Sequence, residues 1–329
     1  MKKNEIITIK NTVFKTEKDL FKEGFRVIKE EGFSSFGKKF NNFLRDGFKR
    51  FFREYLLLKF LSIISSDGKI IKNIQGSKMY LDLKDYGIAR ELAVYGVHEK
   101  NSTEELKKIL KPGMKVLEIG ANIGYYALLE AKIVGEKGWV YAFEPSPYNF
   151  NLLKENIKLN GYKNIEIYQK AVGGKDGKMK FFLSPYSNLS GFIKRNGKEK
   201  AIEVEVIKLD DFLKEKKVDF LRMDIEGYEI EVLKGAKKTL SSVNKPKYIF
   251  IEIHSELLHK KNSSGEEIVR YLEKLGYSVI KSFYRGHSEI SVNSTPQLLK
   301  HPYLEKGYWE TFFKLKKALN LNERYIKFC

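Results

Sequence analysis

Glu118, Gly120 and Gly124 form a Glu-x-Gly-x-x-x-Gly turn at the end of an apolar run, with Ala121 and Asn122 inside it. Glycines in such a turn allow positive φ and let the backbone approach a ligand closely. A second apolar run, 139–143, ends in Glu144-Pro145. A carboxylate at the tip of a second strand is placed to accept hydrogen bonds from both hydroxyls of a ribose. The dinucleotide fingerprint G-x-G-x-x-G is absent. Where that motif seats a pyrophosphate on a helix N-terminus, this turn offers a carboxylate, which repels phosphate and tolerates a cation. The pattern therefore favours S-adenosyl-L-methionine, which carries a sulfonium and an ammonium but no phosphate, over NAD.

Four further residues stand at the ends of later apolar runs: Asp224 and Glu226 after 218–223, and Glu252 and His254 at the close of 247–254. Ligands of open α/β sheets bind beyond the carboxyl ends of the strands. If the two runs are neighbouring strands, the four side chains converge. Methyl transfer to a hydroxyl needs in-line approach and a base. His254 has a suitable ordinary pKa, and Asp224 or Glu252 can orient or replace it. No residue is assigned as a dedicated metal ligand. The same oxygens and nitrogen are nevertheless able to hold a divalent cation that acidifies a sugar hydroxyl. A purely structural network of acids and a histidine is the plain alternative.

The elements that must position these groups follow from periodicity. Short strands are expected near 70–74 and 79–83, then helices over 86–96 and 102–110. From Lys111-Pro112-Gly113 onward, strands and helices alternate: strand 115–119, helix 122–134, strand 139–143, helix 147–160 stopped by Gly161, strand 165–170. Alternation of this kind reads as an α/β fold with a mostly parallel sheet. The pattern breaks at 173–207, a β-rich insertion or cover near the active face. Strands 218–224 and 247–254, a helix over 265–275 and a strand near 278–280 follow. The best candidate for the final strand is 308–313.

The chain has 329 residues and a net charge of +19, enough for a full core and one or two domains. Such a charge favours anionic partners or reflects lysine-rich solvated surfaces. The only cysteine is Cys329, so no intrachain disulfide forms. No apolar leader follows Met1-Lys2-Lys3, and the longest apolar run, 55–64, is interrupted by Lys59 and is too short to span a bilayer. A cytoplasmic setting is expected. Residues 1–75 are expected to be a basic, amphipathic helical extension to a domain over 76–329. Phe36, Phe40, Phe43, Leu44, Phe48, Phe51 and Phe52 recur at helical steps among lysines and arginines. Packing of that stripe on the rest of the chain is the favoured expectation, with peripheral contact with an acidic membrane surface through residues 34–64 as the alternative.

The chain resembles the FkbM family of S-adenosylmethionine-dependent methyltransferases. The resemblance runs through 116–124, 143–147, the asparagine-bearing helix 152–160, Ala171-Val172-Gly173, Leu209-Asp210-Asp211, 223–229 and Ile251-Glu252-Ile253-His254, covering roughly 110–260. Tyr228 departs from the small residue frequent there. The resemblance implies a Class I (Rossmann-like) methyltransferase, with a mostly parallel seven-stranded sheet, a reversed last strand and helices on both faces. It implies O-methylation, often of sugar hydroxyls on a glycan, glycolipid or other small hydroxylated acceptor. It also adds Ala171 and Asp224 to the cofactor side, beside Glu118, Gly120, Ala121, Asn122, Gly124, Glu144 and Pro145.

Two rivals are set against this reading. An RNA or DNA methyltransferase would suit the charge, but enzymes acting on exocyclic amines place an Asn- or Asp-Pro-Pro-aromatic loop after strand four. Here that loop is Asp224-Ile225-Glu226-Gly227, whose acids repel phosphate, so nucleic acid is not expected as a partner. The other rival is a non-catalytic scaffold of the same fold in a membrane-associated glycan-assembly complex. The intact Glu118, Gly120, Gly124 and Glu144 argue against it.

Overall fold

The computed structural model describes residues 65, 68–85, 87–184, 186–195, 199–214, 216–285 and 290–316. Residues 1–64, including the Phe stripe and the proposed membrane-facing segment, lie outside these, as does Cys329. Contacts divide the chain into two units: residues up to Ile74 with Lys78–His98, and Gln75–Ser77 with the chain from Glu99 onward. In the first, strands β1 (Lys69–Ile74) and β2 (Ser77–Asp82) pair as a hairpin, followed by helix α1 (Ile88–Tyr95). Gln75 and Gly76 both have positive φ, as a tight primed turn requires. Lys72 Nζ donates to the Leu92 and Ala93 carbonyls in the last turn of α1, adding to the Gly96 amide that already caps Leu92.

The second unit begins with α2 (Lys100–Ile109) and the alternating series read from periodicity: β3 (Lys115–Ile119), α3 (Tyr125–Val134), β4 (Trp139–Phe143), α4 (Pro147–Asn160) and β5 (Ile165–Tyr168). The insertion follows as β6 (Ala171–Gly173), β7 (Gly177–Leu183) and β8 (Lys200–Lys208), leading into the one-turn helix α5 (Leu209–Phe212). Then come β9 (Phe220–Met223), α6 (Glu229–Gly235), α7 (Lys237–Ser241), β10 (Tyr248–His254), α8 (Ser255–His259), α9 (Gly265–Lys274), β11 (Tyr277–Tyr284), β12 (Ser291–Val292), α10 (Thr295–Leu299) and β13 (Tyr308–Leu315).

The main sheet has the order β12-β11-β13-β10-β9-β3-β4-β5. Its seven longer strands are the expected ones, and the two-residue β12 adds an eighth at the edge beyond β11. The run from β10 through β9, β3 and β4 to β5 is parallel. β13 is the reversed strand, antiparallel to both β10 and β11. β9 therefore lies between β3 and β10, and all three present their carboxyl ends at one edge. The central strands are buried on both faces, as the uninterrupted apolar runs require.

The insertion is its own three-stranded sheet, order β6-β8-β7, around Ala171, Phe181, Phe192, Val204 and Val206. Tyr228 joins it to the main domain: its ring packs 4.6 Å from that of Phe192. The larger residue at this position thus fills space against the insertion. Asp210 accepts the backbone N–H groups of Lys238 and Thr239 at 2.9 and 2.7 Å, anchoring the start of α7.

Candidate active site

The glycine turn is tightly built. The Gly120 and Ala121 amides both donate to the Phe143 carbonyl at 2.9 Å, which locks the end of β3 against the end of β4. Gly120 has φ +87°, and a Cβ there would lie 2.0 Å from the Asp224 carbonyl oxygen. Only glycine lets the β3 turn approach the β9 loop this closely. Gly124 (φ +100°) closes the turn, and Asn122 takes the left-handed region at φ +51°. Those left-handed residues explain why the helix begins at Tyr125 rather than at 122. Asn156 Nδ2 of α4 donates to the Ile123 carbonyl at 2.9 Å and braces the turn from behind.

Glu144 stands at the tip of β4, buried, and accepts the Asn122 and Ser146 amides at 2.8 Å each. Burial pushes its carboxyl up to about 7 against these amide donations. Each carboxylate oxygen has a second lone pair, which leaves capacity for a pair of hydroxyls. Pro145 follows it. Ala171 starts β6 and is buried in the insertion's cluster. A buried acceptor carboxylate beside a left-handed glycine turn fits a ribose-bearing ligand without phosphate.

Glu118, at the end of β3, is held by an ion pair. It is fully buried, and Arg222 Nη1 of β9 donates to its Oε1 at 2.6 Å. Burial lifts Glu118 to about 6, with Arg222 opposing that rise. Arg222 also reaches Asp224 at 3.3 Å and Glu99 at 3.8 Å, and lies over the Tyr126 ring 3.7 Å from its centroid. Sequence reasoning passed over Arg222, although one arginine within the buried Phe-Leu-Arg-Met strand must find an acid partner.

The second cluster forms as the strand order requires. His254 Nε2 lies 3.1 Å from Glu226 Oε2, 3.7 Å from Glu252 Oε1 and 3.8 Å from Asp224 Oδ1. All four expected residues therefore meet. Nδ1 faces Glu229 Oε1 at 2.8 Å and the Glu252 carbonyl at 3.1 Å. A carbonyl only accepts, so Nδ1 carries a proton. Burial alone would lower the His254 pKa, but Glu226 and Glu252 overcome it and hold the imidazole well above its ordinary range. Burial and the neighbouring Glu252 push Asp224 well above the ordinary carboxyl value, and Glu226 is raised chiefly by burial. Glu226 has φ +60°, a strained value for a non-glycine residue at a functional position.

Three more residues that sequence reasoning passed over complete the site. Glu229 Oε1 accepts from Gly227 N–H at 2.8 Å as well as facing His254. Arg195, from the insertion, forms a short ion pair with Glu226. Arg285, beyond β11, reaches Glu252 at 2.7 Å and Glu99 at 3.0 Å. Asp224 is the most open of the acid cluster, with a side chain 22% exposed against 2% for His254.

Residues 118–279 match the family described as Methyltransferase FkbM domain. Hexuronic acid methyltransferase AglP of Haloferax volcanii is 31% identical over 146 residues, 42% of this chain and 55% of that protein. The chain thus spans little more than half the length of this relative. 2-O-methyltransferase NoeI of Sinorhizobium fredii is 25% identical over 195 residues, 54% of this chain and 77% of that one. Among solved structures, a SAM dependent methyltransferase from Aquifex aeolicus aligns with 66% of this chain and 90% of its own at 22% identity and a TM-score of 0.38. Residues 118–279 of this chain, just under half of it, are thus matched by the FkbM methyltransferase domain.

Proposed function

We propose that the domain transfers a methyl group from S-adenosyl-L-methionine to a hydroxyl of a sugar, as part of a glycan, glycolipid precursor or other small acceptor. The observation that carries this is the contact between Gly120 and the Asp224 carbonyl, where a Cβ would stand 2.0 Å away. It sets the cofactor turn directly against the loop that bears the acid–imidazole cluster. When bound, the cofactor supplies an electrophilic methyl group on a sulfonium. The turn residues Gly120, Ala121, Asn122 and Gly124 hold its methionine end, and Glu144, with Pro145 and Ala171, the ribose side. Glu118, on the same methionine side, anchors Arg222 through its Oε1. Arg222 in turn fixes Asp224.

On the acceptor side, Asp224, Glu226, Glu252 and His254 receive the hydroxyl and its proton. Asp224 is the group an incoming molecule meets first. The names of the two relatives, one for hexuronic acid and one for 2-O-methyl transfer, support a sugar hydroxyl as the acceptor class. Membrane attachment through residues 34–64 is no part of this reading, and no helix among the described residues is long and apolar enough to cross a membrane. The test is methyl transfer from labelled cofactor to a panel of nucleotide sugars, uronic acids and lipid-linked glycans, with His254→Ala as control. Turnover should fall about 10²-fold or more in that variant with cofactor binding intact. Full activity of His254→Ala would sink its assigned role.

A further inference from the structure

The atoms that face one another around His254 are nearly all acceptors. Nδ1 carries a proton toward Glu229 and the Glu252 carbonyl, so a cation that displaces the Nε2 proton, which the acids hold on the ring, meets a lone pair there. Around that lone pair stand oxygens of Glu226, Glu252 and Asp224, between 3.1 and 3.8 Å away. Glu252 is 1% exposed, and its Oε2 has no hydrogen-bond partner among the described residues. The described site crowds the acids Glu99, Glu118, Asp224, Glu226, Glu229, Glu252 and Glu310 against the guanidinium groups of Arg195, Arg222 and Arg285 and the imidazole of His254.

We propose that Asp224, Glu226 and His254, with Glu252 beside them, bind one divalent cation of the hard, oxygen-preferring class, Mg²⁺ or Mn²⁺. The proposal rests on the methyl-transfer reading of the same cluster and deepens it. One ligand atom from each of Asp224, Glu226 and His254 lies within 4.8 Å of the others. An ion with bonds of about 2.1 Å holds ligand atoms up to about 4.2 Å apart, so small side-chain shifts close the site. One imidazole among carboxylates suits Mn²⁺ or Mg²⁺ better than a thiolate-loving metal. The Glu229–His254 contact is the outer support that metal-bound imidazoles characteristically have: a carboxylate on the far ring nitrogen fixes the tautomer and turns the other nitrogen to the ion. Asp224, the open member, leaves a side from which an acceptor hydroxyl can join the ion, and a hydroxyl so bound is more acidic. Arg195 is the resident counter-charge of Glu226 and competes with the ion for it.

The test uses the full chain and Mn²⁺ alone, with neither cofactor nor acceptor. Calorimetry and electron paramagnetic resonance should show one site, and pulsed spectra should show coupling to a histidine nitrogen. Glu226→Gln should weaken binding at least tenfold, His254→Ala should abolish the nitrogen coupling, and Arg195→Gln should tighten binding several-fold. The gain in the last variant cannot arise from misfolding. Absence of Mn²⁺ and Mg²⁺ binding at millimolar ion would overturn the proposal, as would binding indifferent to both Glu226→Gln and Arg195→Gln. Methyl transfer that persists in chelator would sink the cation while leaving the function standing. Binding of Mn²⁺ without any methyl transfer would support the site and count against the function.

Discussion

Glu229 Oε1 lies 2.8 Å from His254 Nδ1 and accepts the Gly227 amide at the same distance. One carboxylate therefore orients the imidazole and fixes the left-handed Glu226–Gly227 turn that presents Glu226 to Nε2. Glu229→Gln should lower turnover by about 10-fold or more, the scale seen when an outer partner of a working histidine is lost. Cofactor affinity should stay unchanged. Steady-state kinetics with cofactor titration separates the two, and an equal loss of both would assign Glu229 to folding alone.

Glu144 sets a pH dependence on cofactor binding. Burial raises its carboxyl to about 7. Below that it is neutral and offers fewer acceptor sites to the ribose hydroxyls; above it is ionised and accepts from both. Affinity for S-adenosyl-L-methionine should tighten as pH rises through about 7, and Glu144→Gln should flatten the profile. Glu144→Ala should weaken binding tens-fold with little loss of fold. Calorimetry across that range reads both effects, and a pH-independent wild-type affinity would contradict them.

Arg222 is the cation on which the buried acids depend. Removing it leaves Glu118 and Asp224 without their counter-charge, and breaking one side of a buried pair costs about 3–5 kcal/mol. Arg222→Leu should be destabilised on that scale in urea unfolding. Arg222→Lys should recover only part, because an ammonium cannot both fork to two acids and lie flat over Tyr126. A Lys variant as stable as wild type would show that charge alone matters.

Glu130 of α3 is fully buried, and its carboxyl faces that of Glu118, to which it donates when protonated. Burial, then the charge of Glu118, pushes its carboxyl well above the ordinary value of 4.5. A folded-state pKa raised above the unfolded one makes stability fall as pH rises past the unfolded value, until the folded pKa is reached. Glu130→Gln should remove that slope. Urea unfolding from pH 5 to 8 measures it.

The glycines separate strain from contact. Gly161 ends α4 at φ +68°, and no described atom lies within 4 Å of where an alanine Cβ would stand, so Gly161→Ala should cost only about 1 kcal/mol. Gly120→Ala meets the Asp224 carbonyl as well, and should lose cofactor binding outright. Comparable binding by the two variants would refute the close approach.

Local grammar carried much of the fold. Pro147 at the first turn and Gly161 past the last bound α4 to the residue, because both act through their own backbone. The end of β5 was less legible: the run to 170 looks continuous, yet the strand stops at Tyr168 and Ala171 starts another sheet. In the site, residues at strand tips could be read because strand ends are marked by turns. The buried cations could not. Arg222 meets Glu118 across 104 positions and Arg285 meets Glu252 across 33, and nothing in a linear pattern says which distant acid a charge will face. Only the oddity of an arginine in an apolar strand points to such a pairing.

The reversed strand β13 has a consequence for synthesis. It fills the place between β10 and β11, and its Tyr308 pairs with His254 while Glu310 pairs with Glu252. On the ribosome, every other strand of the sheet emerges before it. Until residues 308–315 arrive, β10 and β11 expose unpaired edges, and the acceptor side has no wall beyond His254. Assembly of the candidate site thus waits on β13, and a chain cut before Tyr308 should be a sticky, inert product rather than a weakened one.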